Sequence, residues 1–260
     1  MEVIKGKTPS VPKLMIYGQA GCGKTTLASK LKNSLIIDIE NGANYIDTPR
    51  VSYKRTASGL KLPIDYSYFM DILTELYNAE KREYDNIVID SLDWLVRIFV
   101  EQVAGIGKGA TKEDIASSLK NNMNDANGGY GKSWEILENR IKSDLLKRFD
   151  LLNQKGYGIT LIAHSEVKEM SDEDGVAIEK VQPKILPKNK ASARIAPVFI
   201  EWCDFVFYLK NTNGNRKLLL ESDLNAVAKN RTGLTGEVDI ADVDINDILS
   251  GKYNNNKEFR

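Results

Sequence analysis

The chain has 260 residues, 42% hydrophobic and 28% charged, which suits one sizeable α/β domain and leaves little for a second. Lys+Arg and Asp+Glu balance at 36 each, so no global basic field pulls the protein onto nucleic acid and any such contact must be local. Two cysteines exclude a disulfide framework, and the opening MEVIKGKTPSVPK lacks the apolar core of a signal peptide, so a soluble cytoplasmic protein without a membrane span is expected.

Residues 13–17 read as a short buried strand, and residues 26–32 as a helix with Leu27, Ala28 and Leu31 inward. Between them stands GQAGCGKTT, residues 18–26, which fits G-x-x-x-x-G-K-[ST] with Gly18, Gly23, Lys24 and Thr25 at the fixed positions. A triphosphate held by backbone N–H groups needs side chains absent where the chain turns and approaches the phosphates. Gly18, Gln19, Ala20, Gly21, Cys22, Gly23, Lys24, Thr25 and Thr26 are therefore expected to bind the nucleotide. Lys24 would reach the β/γ-phosphates, and Thr25 would face Mg²⁺. ATP and Mg²⁺ are the cofactors this implies.

A second strand is expected over residues 34–40, and helical spacing appears next at Phe69, Ile72, Leu73 and Leu76. Residues 85–90 form a third strand, and Trp94, Leu95, Ile98 and Phe99 mark the next helix. A Gly-rich excursion spans 105–131, with a short polar helix around 113–119. Trp134, Leu137, Ile141, Leu145, Phe149 and Leu152 give a long amphipathic helix, and residues 159–163 a fourth strand. Then come a hairpin over 168–182 turning at 171–175, a fifth strand at 204–209, a partner at 217–220, and a short strand at 226–228. Strands alternating with helices imply a mostly parallel sheet with helices on both faces and antiparallel strands at the C-terminal end. Residues 1–245 are expected as a single domain, and 246–260 as a polar tail.

Asp90 ends the apolar run IVID, where a carboxylate organises Mg²⁺ at the carboxyl edge of a parallel strand, although a helix-capping Asp would look the same. Glu40 shares a strand face with Asp38 and sits where a carboxylate could take a proton from water attacking the γ-phosphate; a solvated residue beside a turn is the plainer alternative. His164, the only histidine, falls where the fourth strand is expected to end. From there it could feel a γ-phosphate and move the segment beyond it; a merely structural, partly buried polar residue is the plainer alternative.

A phosphate loop, then Glu40, Asp90 and a polar His164 after successive strands, resembles the RecA-like ATPases. The stretch AKNRTGLTG at 228–236 looks like a segment of DnaB-type helicases and their RadA-like relatives. In those families its Lys and Arg reach the γ-phosphate held by a neighbour. Carried over, the resemblance makes Lys229 and Arg231 trans-acting catalytic cations in a homo-oligomer with ATP at subunit interfaces. Taken with IDIENG, IVIDSLDWL, LIAHSEVK and EWCDFVFY, the chain most resembles phage-encoded RecA-like proteins of the Sak type, which are single-strand annealing ATPases. That implies a DNA-stimulated ATPase of phage recombination or replication, in the host cytoplasm, with single-stranded DNA and a single-strand binding protein as partners. Lys180, Lys184, Lys188, Lys190 and Arg194, with no acidic residue among them, are the expected DNA contacts; a solvated basic loop is the alternative. The Gly-rich excursion, with Lys108, Lys112, Lys120, Tyr130 and Lys132, offers a second surface. A nucleotide-gated assembly or loader protein that never touches DNA is the other reading of the whole, and a P-loop kinase is disfavoured because no arginine-rich lid stands out.

Overall fold

A computed structural model describes residues 11–104, 132–171, 177–185 and 195–253, with Val3, Lys5 and Met123. Apart from Met123, the excursion expected at 105–131, most of the turn at 171–175, the last seven residues, and Lys188, Lys190 and Arg194 lie outside them.

The first half alternates strand and helix as its sequence pattern asks. Strand β1 (Lys13–Gly18) leads through the glycine loop into helix α1 (Lys24–Ser29), then to β2 (Ser34–Asp38) and a two-residue β3 (Arg50–Val51). A small separate hairpin, β4 (Lys54–Arg55) with β5 (Lys61–Leu62), precedes helix α2 (Tyr66–Asn78). The Asp65 carboxylate starts α2 by accepting from Tyr68 N at 2.8 Å, one of the orphan donors of a helix start. Strand β6 (Asn86–Asp90) and helix α3 (Leu92–Ala104) come next. Helix α4 (Lys132–Arg140) passes through a wider π turn (Ile141–Leu146) into α5 (Lys147–Gln154). The widening lets adjacent Leu145 and Leu146 both turn inward.

The second half is richer in strands. Strand β7 (Gly158–Ser171) turns back as β8 (Ala177–Lys184). Helix α6 (Ile195–Trp202), which the sequence pattern did not announce, leads into β9 (Phe205–Thr212), β10 (Asn215–Leu219) and β11 (Glu237–Asp239). Asn213 and Gly214 both take positive φ, 53° and 89°, as a two-residue hairpin turn requires. Short helix α7 (Ile245–Leu249) closes the described chain.

The main sheet runs β11-β10-β9-β1-β7-β6-β2-β3, with β8 on β7. Strands β9, β1, β7, β6, β2 and β3 are parallel; β8, β10 and β11 are antiparallel. Strand β7 thus lies between the phosphate-loop strand and the Asp90 strand. Central strands such as β1 and β2 are apolar on both faces because helices cover both. One face packs under α2, α3, α4, α5 and α6, and the other under α1, α7 and Leu234.

Three expectations are corrected. The fourth strand does not end at His164; it runs on to Ser171, because its outer half gains a partner in β8. In place of a strand at 226–228, Ala226 makes one isolated bridge to Val181, and Lys229, just beyond, makes another to Val206. The expected start of a polar tail, residue 246, lies inside α7, whose Ile248 is 2% exposed and whose Asn246 bonds Lys30 O and Lys32 N.

Candidate active site

The site assembles at the carboxyl edge of the parallel strands. Gly18 ends β1 where β9 passes close: a Cβ there would sit 2.3 Å from Leu209 O and 2.9 Å from Cys22 Sγ. Gly21 and Gly23 hold φ of 74° and 98°, conformations that an L side chain resists. The loop's geometry therefore demands glycine at all three places. Lys24 Nζ is buried across the loop and donates to Gly18 O at 3.0 Å and Gln19 O at 2.9 Å. Beside the loop lies a cleft of about 360 Å³, walled by residues 19–22 on one side and 208–212 on the other.

Thr25 Oγ1 donates to Asp90 Oδ2 at 2.7 Å, bringing together the two expected metal-facing residues. Asp90 is 5% exposed. Burial pushes its carboxyl up to about 6, the Thr25 hydrogen bond opposes this, and the Asp38 and Glu40 charges add to it. A hydroxyl and a desolvated carboxylate are the hard oxygen donors that suit Mg²⁺, and a cation there would relieve the cost of the buried charge. Among the described residues no group of three His, Cys, Asp or Glu forms a metal cage. An ion at this place would therefore complete its shell with phosphate and water oxygens, which is the usual habit of Mg²⁺.

Glu40 comes just after β2, and its Oε2 accepts from Ser91 Oγ at 3.2 Å. Asp38, on the same face, is fully buried and committed to the turn, accepting from Gly42 N, Ala43 N and Ser52 Oγ. His164 pairs in register with Gly18 on one side and Lys184 on the other. Its Nδ1 lies 3.0 and 3.1 Å from the two Asp93 carboxylate oxygens. That hydrogen bond raises the His164 pKa above its ordinary value. Burial pushes Asp93 up, but the bond and charge of His164 outweigh it and hold its carboxyl below the ordinary range. With Nδ1 bound to a carboxylate, Nε2 is the nitrogen left for other contacts.

Residues 228–236 lie elsewhere. Lys229 and Val206 exchange both backbone hydrogen bonds, which sets the segment near the amino end of β9. Lys229 Nζ donates to the carbonyls of Ile200, Glu201 and Cys203 at 3.1, 3.0 and 2.7 Å, closing the C-terminus of α6. Arg231 Nε lies 3.1 Å from Asp204 Oδ1, and its side chain is 63% exposed. Asn230 organises the turn, donating to Leu220 O and Leu234 O while its Oδ1 accepts from Thr232 N, Thr232 Oγ1 and Leu234 N. Of the expected DNA contacts, Lys184 is exposed at the end of β8 and Lys180 is half-buried.

Sequence reasoning missed three neighbours of the loop. Ser91 directly follows Asp90 and Asp93 lies in the first turn of α3, and that adjacency was the available signal. Arg216 of β10 stands with Nε 3.2 Å from where a Cβ on Gly23 would be, and nothing in the sequence foretold it.

A mostly parallel α/β sheet with this loop after its central strand defines a nucleotide-binding P-loop ATPase domain. Residues 10–232 match the family model described as AAA domain (AAA_24). The chain belongs to that family. A comparison with curated proteins gives no match. Among solved structures, the chain is similar to one whose title describes an ATPase domain, at 10% identity and a TM-score of 0.40, over 88% of this chain and 80% of that one. Among the described residues no helix is long and apolar enough to cross a membrane.

Proposed function

We propose that the protein is an oligomeric, Sak-type RecA-like ATPase that acts on single-stranded DNA in phage recombination or replication. The observation that carries the reading is one register pair. His164, beside the phosphate loop through Gly18, faces Lys184 on β8. The proposed nucleotide-sensing residue and one cation of the basic stretch are thus adjacent, so a shift at one is felt by the other.

In this reading Lys24 and the N–H groups of the glycine loop hold the phosphates, and Thr25 and Asp90 hold Mg²⁺. The ion, when bound, neutralises charge on the phosphate oxygens. Glu40 takes the proton of the attacking water, with its carboxylate steadied by Ser91. The position of Arg231 supports an assembled enzyme. Its partner Asp204 donates its N–H to Lys13 O, at the start of β1. Gly18 stands five residues further along, about 16 Å away. Arg231 therefore lies at the opposite edge from its own phosphate loop, and the γ-phosphate it would serve is a neighbour's. Lys229 is already held by three carbonyls of its own chain, so Arg231 is the freer of the two cations.

ATP turnover is measured across protein concentrations, with and without oligo(dT). The proposal expects turnover per molecule to rise with concentration and with DNA. Rates indifferent to both, with no salt-dependent DNA binding, would overturn it. Charge reversal at Lys184, Lys188 and Lys190 separates the loader reading, which expects partner capture to survive that change.

A further inference from the structure

The small hairpin between β3 and α2 carries a concentration of charge that the nucleotide site does not use. Residues 50–62 hold Arg50, Lys54, Arg55 and Lys61 and no acidic residue, in a chain whose formal net charge is zero. All four side chains are exposed. Among the described residues none of them is paired with a carboxylate. Aromatic rings stand among them. Arg55 and Lys61 lie over the Tyr53 ring at 5.3 and 4.4 Å, and Lys54 lies over Tyr68 at 5.3 Å. Leu60 and Leu62 add exposed apolar surface, at 61% and 40%.

The hairpin is a built element. Thr56 N donates to Leu60 O, Thr56 Oγ1 accepts from Leu60 N, and Ile64 anchors the exit in the core. Its entry is fixed too, since Ser52 Oγ bonds the buried Asp38. Strand β3 is parallel to β2, so the hairpin rises from the carboxyl edge that also carries the phosphate loop. It stands four strands away, about 19 Å along that edge.

From this placement we propose that the 50–62 hairpin is a nucleic-acid contact surface, with Lys54, Arg55 and Lys61 binding phosphates of a single strand and Tyr53 flanking its bases. The inference rests on the single-stranded DNA reading above and adds a contact separate from the 180–194 stretch. Cations interleaved with aromatic rings and exposed leucines fit a flexible polyanion with stackable bases better than a bare acidic peptide, which has no use for the rings. Tyr53 also feels the field: Arg55 and Lys61 lower its pKa below the ordinary value.

The test titrates fluorescent oligo(dT) over a range of NaCl concentrations. It compares the wild type with Lys54→Gln/Arg55→Gln/Lys61→Gln and with Arg55→Gln/Lys61→Gln, which keeps the Lys54–Tyr68 contact. Each lost phosphate contact lowers the slope of log K against log salt by about 0.7 for single strands. The expected drops are therefore about 2 and about 1.4, with thermal midpoint and DNA-free ATP turnover unchanged. Slopes equal to wild type in both folded variants overturn the inference and leave the DNA reading standing. A wild type that does not bind oligo(dT) overturns both. Retained DNA binding with loss of binding to anionic phosphatidylglycerol vesicles also overturns it, in favour of a membrane surface.

Discussion

Asp90 offers a direct test of what the site costs the fold. Its carboxyl is buried beside Asp38 and Glu40, and its pKa moves from 3.8 to about 6. The sign comes from linkage: a carboxyl with a raised folded pKa holds its proton longer in the native state. The native state is therefore favoured below the unfolded pKa, and that advantage is lost as pH rises through about 6. Taking the two values, the ionised Asp90 costs about 3 kcal/mol at pH 8 and about 1 kcal/mol at pH 4.5. Asp90→Asn keeps an oxygen for the Thr25 hydroxyl and removes the charge. In the nucleotide-free protein with chelator present, urea titration should show the variant more stable by about 3 kcal/mol at pH 8, narrowing to about 1 kcal/mol at pH 4.5. The same variant should lose most ATP turnover, because an amide is a poor Mg²⁺ ligand. A variant no more stable than wild type at pH 8 would refute the argument that this carboxylate is held against its own solvation.

Single contacts carry the other predictions. His164 is the sole histidine, so its ring proton resonance reads one titration. The midpoint should lie above 6.5 and fall in Asp93→Asn, because the pair's bond is what raises it. The clamp's contribution through His164 is full at low pH and fades as pH rises past the folded pKa, while that through Asp93 fades as pH falls into the carboxylate range. Gly18→Ala must push Leu209 O from 2.3 Å, so a loss of several kcal/mol, or no folded protein, is expected by thermal unfolding. Asn230→Ala removes five hydrogen bonds from one turn and should cost about 2–4 kcal/mol in urea unfolding. Arg231→Ala should leave the monomer's stability within about 1 kcal/mol, since its ion pair is exposed, yet lower turnover at concentrations where wild type is assembled.

The parts of the fold that were legible share one property: their signal is local. The glycine loop, the apolar runs of β1, β2, β6 and β9, and the Asn213–Gly214 turn each state their conformation within a few residues. What was hidden depends on distant partners. His164 was read as a strand end because the apolar run stops at Ala163; β7 continues only because β8 pairs with it. Helix α6 contains Pro197 and spans only eight residues, so its apolar stretch gave no clear period. Strand β11 has three residues and exists by pairing with β10. At the candidate site, the glycine loop, Glu40, Asp90 and His164 follow one another along the chain, and the fold sets Thr25 against Asp90. Arg216 beside Gly23 was not, because strand pairing between β9 and β10 brings it there and no nearby residue encodes that.

The segment AKNRTGLTG shows how one stretch can carry two demands at once. Asn230, with three acceptor and two donor contacts, fixes the backbone so that its neighbours project on opposite errands. Lys229 turns inward to three carbonyls that end α6 and is partly desolvated, which lowers its pKa. Arg231 turns outward to a single exposed pair with Asp204. A cation already bound to carbonyls must give those bonds up before it can meet a phosphate, whereas an exposed guanidinium trades one weak ion pair for another. If the segment serves a neighbour's nucleotide, the two residues should differ in kind. Lys229→Met should destabilise the isolated chain by about 1–3 kcal/mol; Arg231→Ala should not. When each variant is mixed into wild type and turnover tracked against the mixing ratio, Arg231→Ala should poison mixed assemblies beyond its own share. A linear decline with Arg231→Ala content would mean that each molecule completes its site alone, and the case for a shared pocket would end there.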